Sequence, residues 1–234
     1  MHHTPPIPQF SRPKRNRAFV WILISCAAIA IVTYGTVWWL QEQITENEFT
    51  SDTTRVQIII GNDVVKIPAN MIRFQRQRSR DTVNQVDLLM LWPNGDGYTS
   101  ENKSAFLETG ENQELIFMTL LPRKIQLDMD GRLAPIYLRL FVGETKSGPS
   151  GLTFQALRRG TGYDGETLAL FANDAEVWVA RCQDDNALTI PTCLRDIHIG
   201  RGLSLRYRFP RKMLKNWREI EKLVRRMAHS FLNI

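Results

Sequence analysis

The side chains of this sequence that could do chemistry are a few histidines, aspartates and cysteines. Outside the N-terminal tail the histidines are His198 and His229, and neither lies in a motif such as G-x-S-x-G or H-E-x-x-H. Asp128 and Asp130 lie close together, but the later glutamate of a calcium loop is missing because residue 137 is tyrosine. The pattern predicts surface histidines and a turn, with no catalytic, metal or cofactor site.

Cys182 and Cys193 are the two cysteines placed to react with each other. A polar stretch of ten residues separates them, with strand-like sequence on both sides. In an oxidising compartment this spacing predicts a disulfide. The alternative is two unrelated thiols, whereas a zinc site would need a second pair of metal ligands that the sequence lacks. Cys26 lies inside a long apolar run and is expected to behave as a small apolar residue.

Positive charge is concentrated after the first 54 residues. Residues 1–54 contain four bases and four acids, so the formal net charge of +6 falls entirely on residues 55–234. The bases lie mainly in the segment from Arg195 to the end and in a smaller cluster between Arg73 and Arg80. Both groups are expected to be solvated faces. Because the arginines form no RNP-like or helix-turn-helix pattern, nucleic-acid binding is not expected.

The end of the chain predicts a strongly basic amphipathic helix of about twenty residues. Apolar residues recur at steps of three and four from Met213 to Phe231, and Pro210 suits the first helical turn. The apolar stripe, with Trp217 and Val224, is expected to cover the sheet of the same domain. A sharper hypothesis is that the outward side contacts anionic lipid or an acidic protein partner. The candidate residues for that surface are Arg218, Lys222, Arg225 and Arg226.

Short apolar and β-branched runs, separated by Gly, Pro or Asn-Asp, predict a mainly antiparallel sheet before this helix. In the last two runs, 195–199 and 203–209, Ile197 and Tyr207 fall on one face while Arg206 and Arg208 fall on the other. One face of the sheet is therefore expected to be core and the other wet and basic. The remaining predicted strands are 55–60, 64–67, 114–121, 136–142, 152–157, 167–171 and 176–182, with 83–92 either a strand or a short helix.

Ala18 to Leu40 is an uninterrupted apolar run of 23 residues that predicts a transmembrane helix. Bases precede the run and acids follow it, so the N-terminus is expected in the cytoplasm. A cleaved secretory signal is the rival interpretation. It is disfavoured because the run is longer than a signal's apolar region and ends in Trp38-Trp39-Leu40, without a small-residue cleavage site.

These observations predict a single-pass α+β protein with four parts. Residues 1–17 form a disordered basic cytoplasmic tail, 18–40 a signal-anchor helix, 41–54 an acidic linker, and 55–234 a periplasmic domain in which a mainly antiparallel sheet is covered by the C-terminal helix. The expected location is a bacterial inner membrane. The expected function is non-catalytic: an interaction or accessory subunit of a cell-envelope complex with a protein partner. A membrane-anchored hydrolase acting on envelope polymers is the alternative, and it would need two converging carboxylates in a cleft.

Overall fold

A computed structural model of the chain describes residues 17–110, 112–184 and 190–232, with side-chain environments from residue 20 to 36 and from 49 onward. The chain divides into two compact units, Met1–Glu46 and Asn47–Ile234. The predicted cytoplasmic tail lies outside the described residues except for Arg17.

The first unit contains most of helix α1, Arg17–Glu48. Its side chains are exposed from Trp21 to Thr36, and Tyr34 is 76% exposed. Over the described part of the chain, no helix meets the length and apolarity needed for a membrane span. The side chains of 18–19 and 37–40, which belong to the predicted anchor, lie outside the part whose environments are described.

The described residues of the second unit form eleven strands and three further α-helices. The strands are β1 Arg55–Ile60, β2 Asp63–Pro68, β3 Thr82–Val83, β4 Val86–Leu91, β5 Leu115–Pro122, β6 Phe141–Ser147, β7 Thr153–Leu157, β8 Glu166–Ala172, β9 Val177–Gln183, β10 Thr192–Ile199 and β11 Leu203–Pro210. The helices are α2 Gln75–Arg78, α3 Lys103–Leu107 and α4 Trp217–Leu232.

Two sheets form the body of this unit. A three-stranded sheet has the order β2-β1-β3, and an eight-stranded sheet has the order β4-β5-β11-β10-β9-β8-β7-β6. All pairs in the large sheet are antiparallel, and β1 with β3 is the parallel exception in the small one. The predicted α+β class with a mainly antiparallel sheet and a C-terminal helix is confirmed.

The main core lies between α4 and the sheets, as the sequence predicted. Trp217 is 1% exposed and Val224 is fully buried, and both belong to one hydrophobic cluster with Ile58, Ile67 and Leu205. Burying an apolar stripe of this size against a sheet is what stabilises an amphipathic helix whose other side is charged.

The hairpin of β10 and β11 also has the predicted alternation. Ile197 pairs with Leu205 in the antiparallel register, and both side chains are fully buried. Gly200 begins the tight turn between the strands with φ +54°, a conformation that residues with a side chain rarely adopt. The buried face of the hairpin is therefore apolar, apart from Arg195, which lies in phase with Ile197 and is 1% exposed.

Three expectations are corrected by the structure. The predicted strand 136–142 is a 3-10 helix, Tyr137–Leu140, followed by β6, because Ile136 and Tyr137 donate their backbone N–H groups to the Arg132 carbonyl and continue a series of turns. The segment Arg211–Asn216 is also a 3-10 helix, which leaves α4 with 16 residues. Arg195 is buried and does not contribute to the solvated basic face.

Candidate interaction surfaces

The large sheet separates between β9 and β10, and charged side chains fill the gap. Among the described residues these two strands pair at two positions, Cys182 with Cys193 and Arg181 with Leu194, and the ladder then stops. Where the ladder stops, the Val179 N–H donates to Asp130 Oδ1 at 2.9 Å, and the Val179 carbonyl accepts a hydrogen bond from Arg195 Nη1 at 2.9 Å. Side chains thus satisfy backbone groups that a neighbouring strand would otherwise pair.

Arg195 is the centre of a buried charge cluster. Its Nη2 donates to Asp130 Oδ2 at 2.8 Å and to Glu221 Oε1 at 3.2 Å, while Nε donates to Glu221 Oε2 at 2.9 Å. Nη1 donates to Asp130 Oδ1 as well as to the Val179 carbonyl. All five N–H groups of the guanidinium therefore have acceptors, and two carboxylates face one buried cation.

Glu221 joins this cluster to α4. It accepts hydrogen bonds from the Tyr207 hydroxyl, from Trp178 Nε1 at 3.2 Å and from Arg225 Nε at 2.6 Å. Burial alone would raise the pKa of the Glu221 carboxyl, but the charge and hydrogen bonds of Arg195 outweigh it and lower this pKa to about 2. Burial, together with the neighbouring Glu221 charge, raises the pKa of Tyr207 well above its usual value.

This cluster was missed by the sequence analysis, although one signal pointed to it. Arg195 lies two residues before Ile197, so the strand alternation that buries Ile197 also buries Arg195. The turn predicted at Asp128 to Asp130 is present, but the Asp130 carboxylate binds Arg195. Within the described ranges no group of three or more His, Cys, Asp or Glu is arranged to hold a metal ion.

The predicted bond between Cys182 and Cys193 is present as a disulfide at the beginning of the gap. The two residues are directly opposite each other on β9 and β10, and both are fully buried. Half of the loop that they close, residues 185–189, lies outside the described residues. The disulfide fixes the last paired positions of the two strands next to the charge cluster.

The opposite face of the large sheet carries an open groove of about 440 Å³. We call it the arginine groove. Its lining includes Arg73, Asp87, Phe117, Leu194, Arg206 and Arg208. This is the face that the alternation of the β10–β11 hairpin predicted to be wet and basic, and Arg206 and Arg208 are exposed on it.

The cross-strand neighbours of these two arginines differ. Arg208 stands between Phe117 on β5 and Leu194 on β10, so its surroundings are apolar. Arg206 stands between Thr119 on β5 and Asp196 on β10. In the part of the chain that the structure describes, neither arginine forms an ion pair.

The carboxylates near the groove are engaged by other groups. Asp196 forms an ion pair with Arg132. Asp87, which lines the groove, accepts hydrogen bonds from Gln77 Nε2 at 2.9 Å and from Thr119 Oγ1 at 2.9 Å. Hydrogen bonds from neutral side chains leave the charge of Asp87 in place, but three arginines against this one carboxylate still give the groove a net positive charge.

Aromatic rings support the third arginine of the groove. The Arg73 guanidinium lies 5.0 Å from the centroid of Phe74 and 5.8 Å from that of Phe117. Arg76 lies 4.9 Å from the Phe74 ring on the neighbouring surface. Arginine and aromatic residues are enriched at protein–protein interfaces, and arginine is frequent among the residues that contribute most to binding.

The four basic residues of the predicted surface on α4 differ in their contacts. Arg218, Lys222, Arg225 and Arg226 are all exposed. Arg218 donates to the Ser150 carbonyl at 3.1 Å and lies 4.2 Å from the Trp217 ring, while Arg225 binds the buried cluster through Glu221. Lys222 and Arg226 form no ion pair with any described residue.

Comparisons with known proteins identify the fold. No protein-family model and no curated protein matches the chain. The solved structure of Smlt3025, an immunity protein of the Stenotrophomonas maltophilia type IV secretion system, is similar with a TM-score of 0.51 and 15% identity, over 75% of this chain and 92% of that one. FrpD, an iron-regulated outer membrane lipoprotein of Neisseria meningitidis, is similar with a TM-score of 0.50 and 13% identity, over 80% and 96% of the two chains. At these identities the likeness establishes a shared α+β fold.

Proposed function

We propose that this protein is a membrane-anchored, extracytoplasmic interaction subunit of a cell-envelope complex and has no catalytic role of its own. The observation that carries the proposal is the arginine groove, whose exposed Arg206 and Arg208 have no ion-pair partner among the described residues. The groove contains one carboxylate, Asp87, so it offers charge for binding and no pair of converging acids for hydrolysis.

The two similar structures support the same interpretation. One is named an immunity protein of a secretion system and the other an outer membrane lipoprotein. Both names connect the proteins to the bacterial envelope or to export across it. A fold shared with such proteins fits an envelope role for this chain, although a fold by itself serves many functions.

The anchor is the second part of the proposal. Residues 18–40 cross the bacterial inner membrane as an uncleaved signal anchor, with 1–17 in the cytoplasm, 41–54 as a spacer and 55–234 in the periplasm. The charge asymmetry around the apolar run supports this orientation. The disulfide of Cys182 and Cys193 supports an oxidising compartment for the domain.

Thiol labelling tests the topology. In a Cys26→Ala background, which removes the one free cysteine of the described chain, the variants Thr4→Cys and Ser51→Cys are treated with a membrane-impermeant maleimide in intact spheroplasts. We expect residue 51 to be labelled at once and residue 4 only after lysis. Labelling of residue 4 in intact spheroplasts, or a mature chain that begins after Leu40, would contradict the anchor.

Crosslinking in intact cells tests the interaction. The full chain is crosslinked with formaldehyde, purified under denaturing conditions and analysed by mass spectrometry. We expect one envelope protein to be recovered reproducibly in a defined ratio to this chain. Recovery of the uncrosslinked chain alone, in cells that need this protein, would contradict an interaction subunit.

A further inference from the structure

We infer that the arginine groove binds an extended acidic segment of a protein partner, with carboxylates at alternate residues lying over Arg206 and Arg208. The inference rests on the proposed interaction role and goes further, because it assigns the binding site and the chemistry of the partner. It differs from the hypothesis drawn from the sequence, which placed the partner surface on α4.

Charge is the first argument for this site. Three arginines line the groove, Arg73, Arg206 and Arg208, against the single carboxylate of Asp87. Asp87 already accepts hydrogen bonds from Gln77 and Thr119, and Asp196 beside Arg206 is paired with Arg132. An incoming carboxylate would therefore meet guanidinium groups that are not competing for carboxylates of the chain. Arginine is also suited to bind carboxylates through two parallel hydrogen bonds.

Spacing is the second argument, and it selects an extended segment. Arg206 and Arg208 are two residues apart on β11 and point to the same side of the sheet. Alternate residues of a strand are about 6.8 Å apart along its axis. Acidic side chains at alternate positions of an extended peptide have the same spacing, so two carboxylates can meet both arginines at once. Adjacent acids would point to opposite sides of the peptide.

The walls of the groove are the third argument, and they favour a protein segment over a membrane surface. Phe117 and Leu194 flank Arg208 and are half-buried, so a recessed apolar surface lies beside the charge. A narrow segment can bury apolar atoms there while its carboxylates reach the arginines. A flat bilayer surface would instead favour protruding bases such as those on α4.

Peptide binding to the purified full chain in detergent tests the site. The probe is a fluorescein-labelled heptapeptide of alternating glutamate and threonine, followed by fluorescence anisotropy. The groove variant is Arg206→Ala/Arg208→Ala, and the matched control is Lys222→Ala/Arg226→Ala, which removes the same charge from exposed positions on α4. We expect the groove variant to weaken binding at least tenfold and the control variant less than twofold. A thermal unfolding curve of each variant verifies that the fold is unchanged.

Further peptides make the test specific. Replacing each glutamate by glutamine should abolish binding. A threonine heptapeptide with only two glutamates should bind more tightly when they are two residues apart than when they are adjacent, because only one of two neighbours can face the groove. Equal losses in the groove and control variants would show general electrostatic attraction and overturn the inference. Loss of binding to phosphatidylglycerol vesicles in the groove variant, without any binding of the peptide, would make the site a lipid site and also overturn it.

The inference and the proposed function can fail separately. If crosslinking in cells recovers a partner with both the wild type and Arg206→Ala/Arg208→Ala, the interaction role stands and the groove is not its site. If crosslinking recovers no partner at all, the interaction role fails whatever the peptide does. If the partner is lost only in the groove variant, both are supported.

Discussion

Arg195 and Arg208 belong to the same hairpin and have opposite environments. Arg195 is 1% exposed and faces two carboxylates, whereas Arg208 is exposed on the other face and has none within the described part of the chain. The strand alternation alone puts them on different sides of one sheet. The comparison shows that the basic character of this segment, which looks uniform in the sequence, serves two separate purposes.

The buried arginine connects the parts of the fold that meet where β9 and β10 stop pairing. Where β9 and β10 stop pairing, Arg195 and Asp130 supply the hydrogen bonds of the missing ladder, and Glu221 connects them to α4. An exposed arginine without a partner contributes little to stability, because surface ion pairs themselves contribute at most about 1 kcal/mol. Arg206 and Arg208 are therefore available for binding without a structural cost.

Removing the buried Arg195 should have the largest effect on the free energy of unfolding. Arg195→Met keeps the volume but leaves Asp130 and Glu221 without their shared cation, and breaking a buried pair in this way costs about 3–5 kcal/mol. We expect chemical denaturation of the full chain to show this loss. The matched control, Arg208→Met, should change the free energy of unfolding by less than about 0.5 kcal/mol. Similar losses in both variants would remove the distinction between the two arginines.

The disulfide should contribute nearly as much to the free energy of unfolding as Arg195 does. The double variant Cys182→Ala/Cys193→Ala removes a link that closes a loop of about ten residues, which the chain-entropy relation values at about 3 kcal/mol. It also releases the last paired positions of β9 and β10, so the charge cluster beside them should become more dynamic. Equilibrium unfolding and hydrogen exchange at Val179 measure the two effects. An unchanged midpoint of unfolding would show that the junction is held by Arg195 alone.

Acid should destabilise the buried cluster through Glu221. The folded-state pKa of Glu221 is about 2, below its usual value of 4.5, so this residue contributes stability at neutral pH. That contribution is lost as the pH falls from about 4.5 towards 2. In Glu221→Gln the free energy of unfolding should be lower at pH 7 and should depend less on pH over this window. Parallel pH profiles for the variant and the wild type would contradict the assigned role.

The smallest expected effect concerns the helix surface that the sequence singled out. Lys222→Glu/Arg226→Glu should reduce binding to phosphatidylglycerol vesicles by about 1 kcal/mol for each base removed, while leaving peptide binding in the groove unchanged. Arg218 and Arg225 are left out of this variant because both contact other residues of the domain. Vesicle sedimentation gives the measurement. Unchanged sedimentation would show that the exposed bases of α4 are only a solvated surface.

Much of the fold could be predicted from local patterns in the sequence. Period-two alternation gave the two faces of the β10–β11 hairpin, and steps of three and four gave the buried stripe of α4 that includes Trp217 and Val224. The buried cluster could not be predicted in the same way. The partners of Arg195 are Asp130 and Glu221, which lie 65 and 26 residues away and meet only when the sheet and α4 have packed.

One part of the arginine groove could be predicted from the sequence and another could not. A wet basic face was expected from Arg206 and Arg208, but the cluster that includes Arg73 was interpreted as a separate solvated surface. The antiparallel pairing of β11 with β5, together with the backbone contact between Arg73 and Asp87, brings these residues to one groove. Such long-range pairing has no signal in local periodicity, so a surface made by four strands could not be assembled from the sequence.

Photocrosslinking from two positions tests whether the arginine groove is where the partner binds. A photoreactive phenylalanine analogue replaces Phe117 in the groove or, in the control, Lys222 on α4, and intact cells are irradiated before mass spectrometry locates the attachment sites. We expect crosslinks from position 117 to one acidic segment of an envelope protein, and none from position 117 once Arg206 and Arg208 are alanine. Crosslinks to that protein from position 222 alone, or from position 117 in equal yield without the two arginines, would contradict binding in the groove.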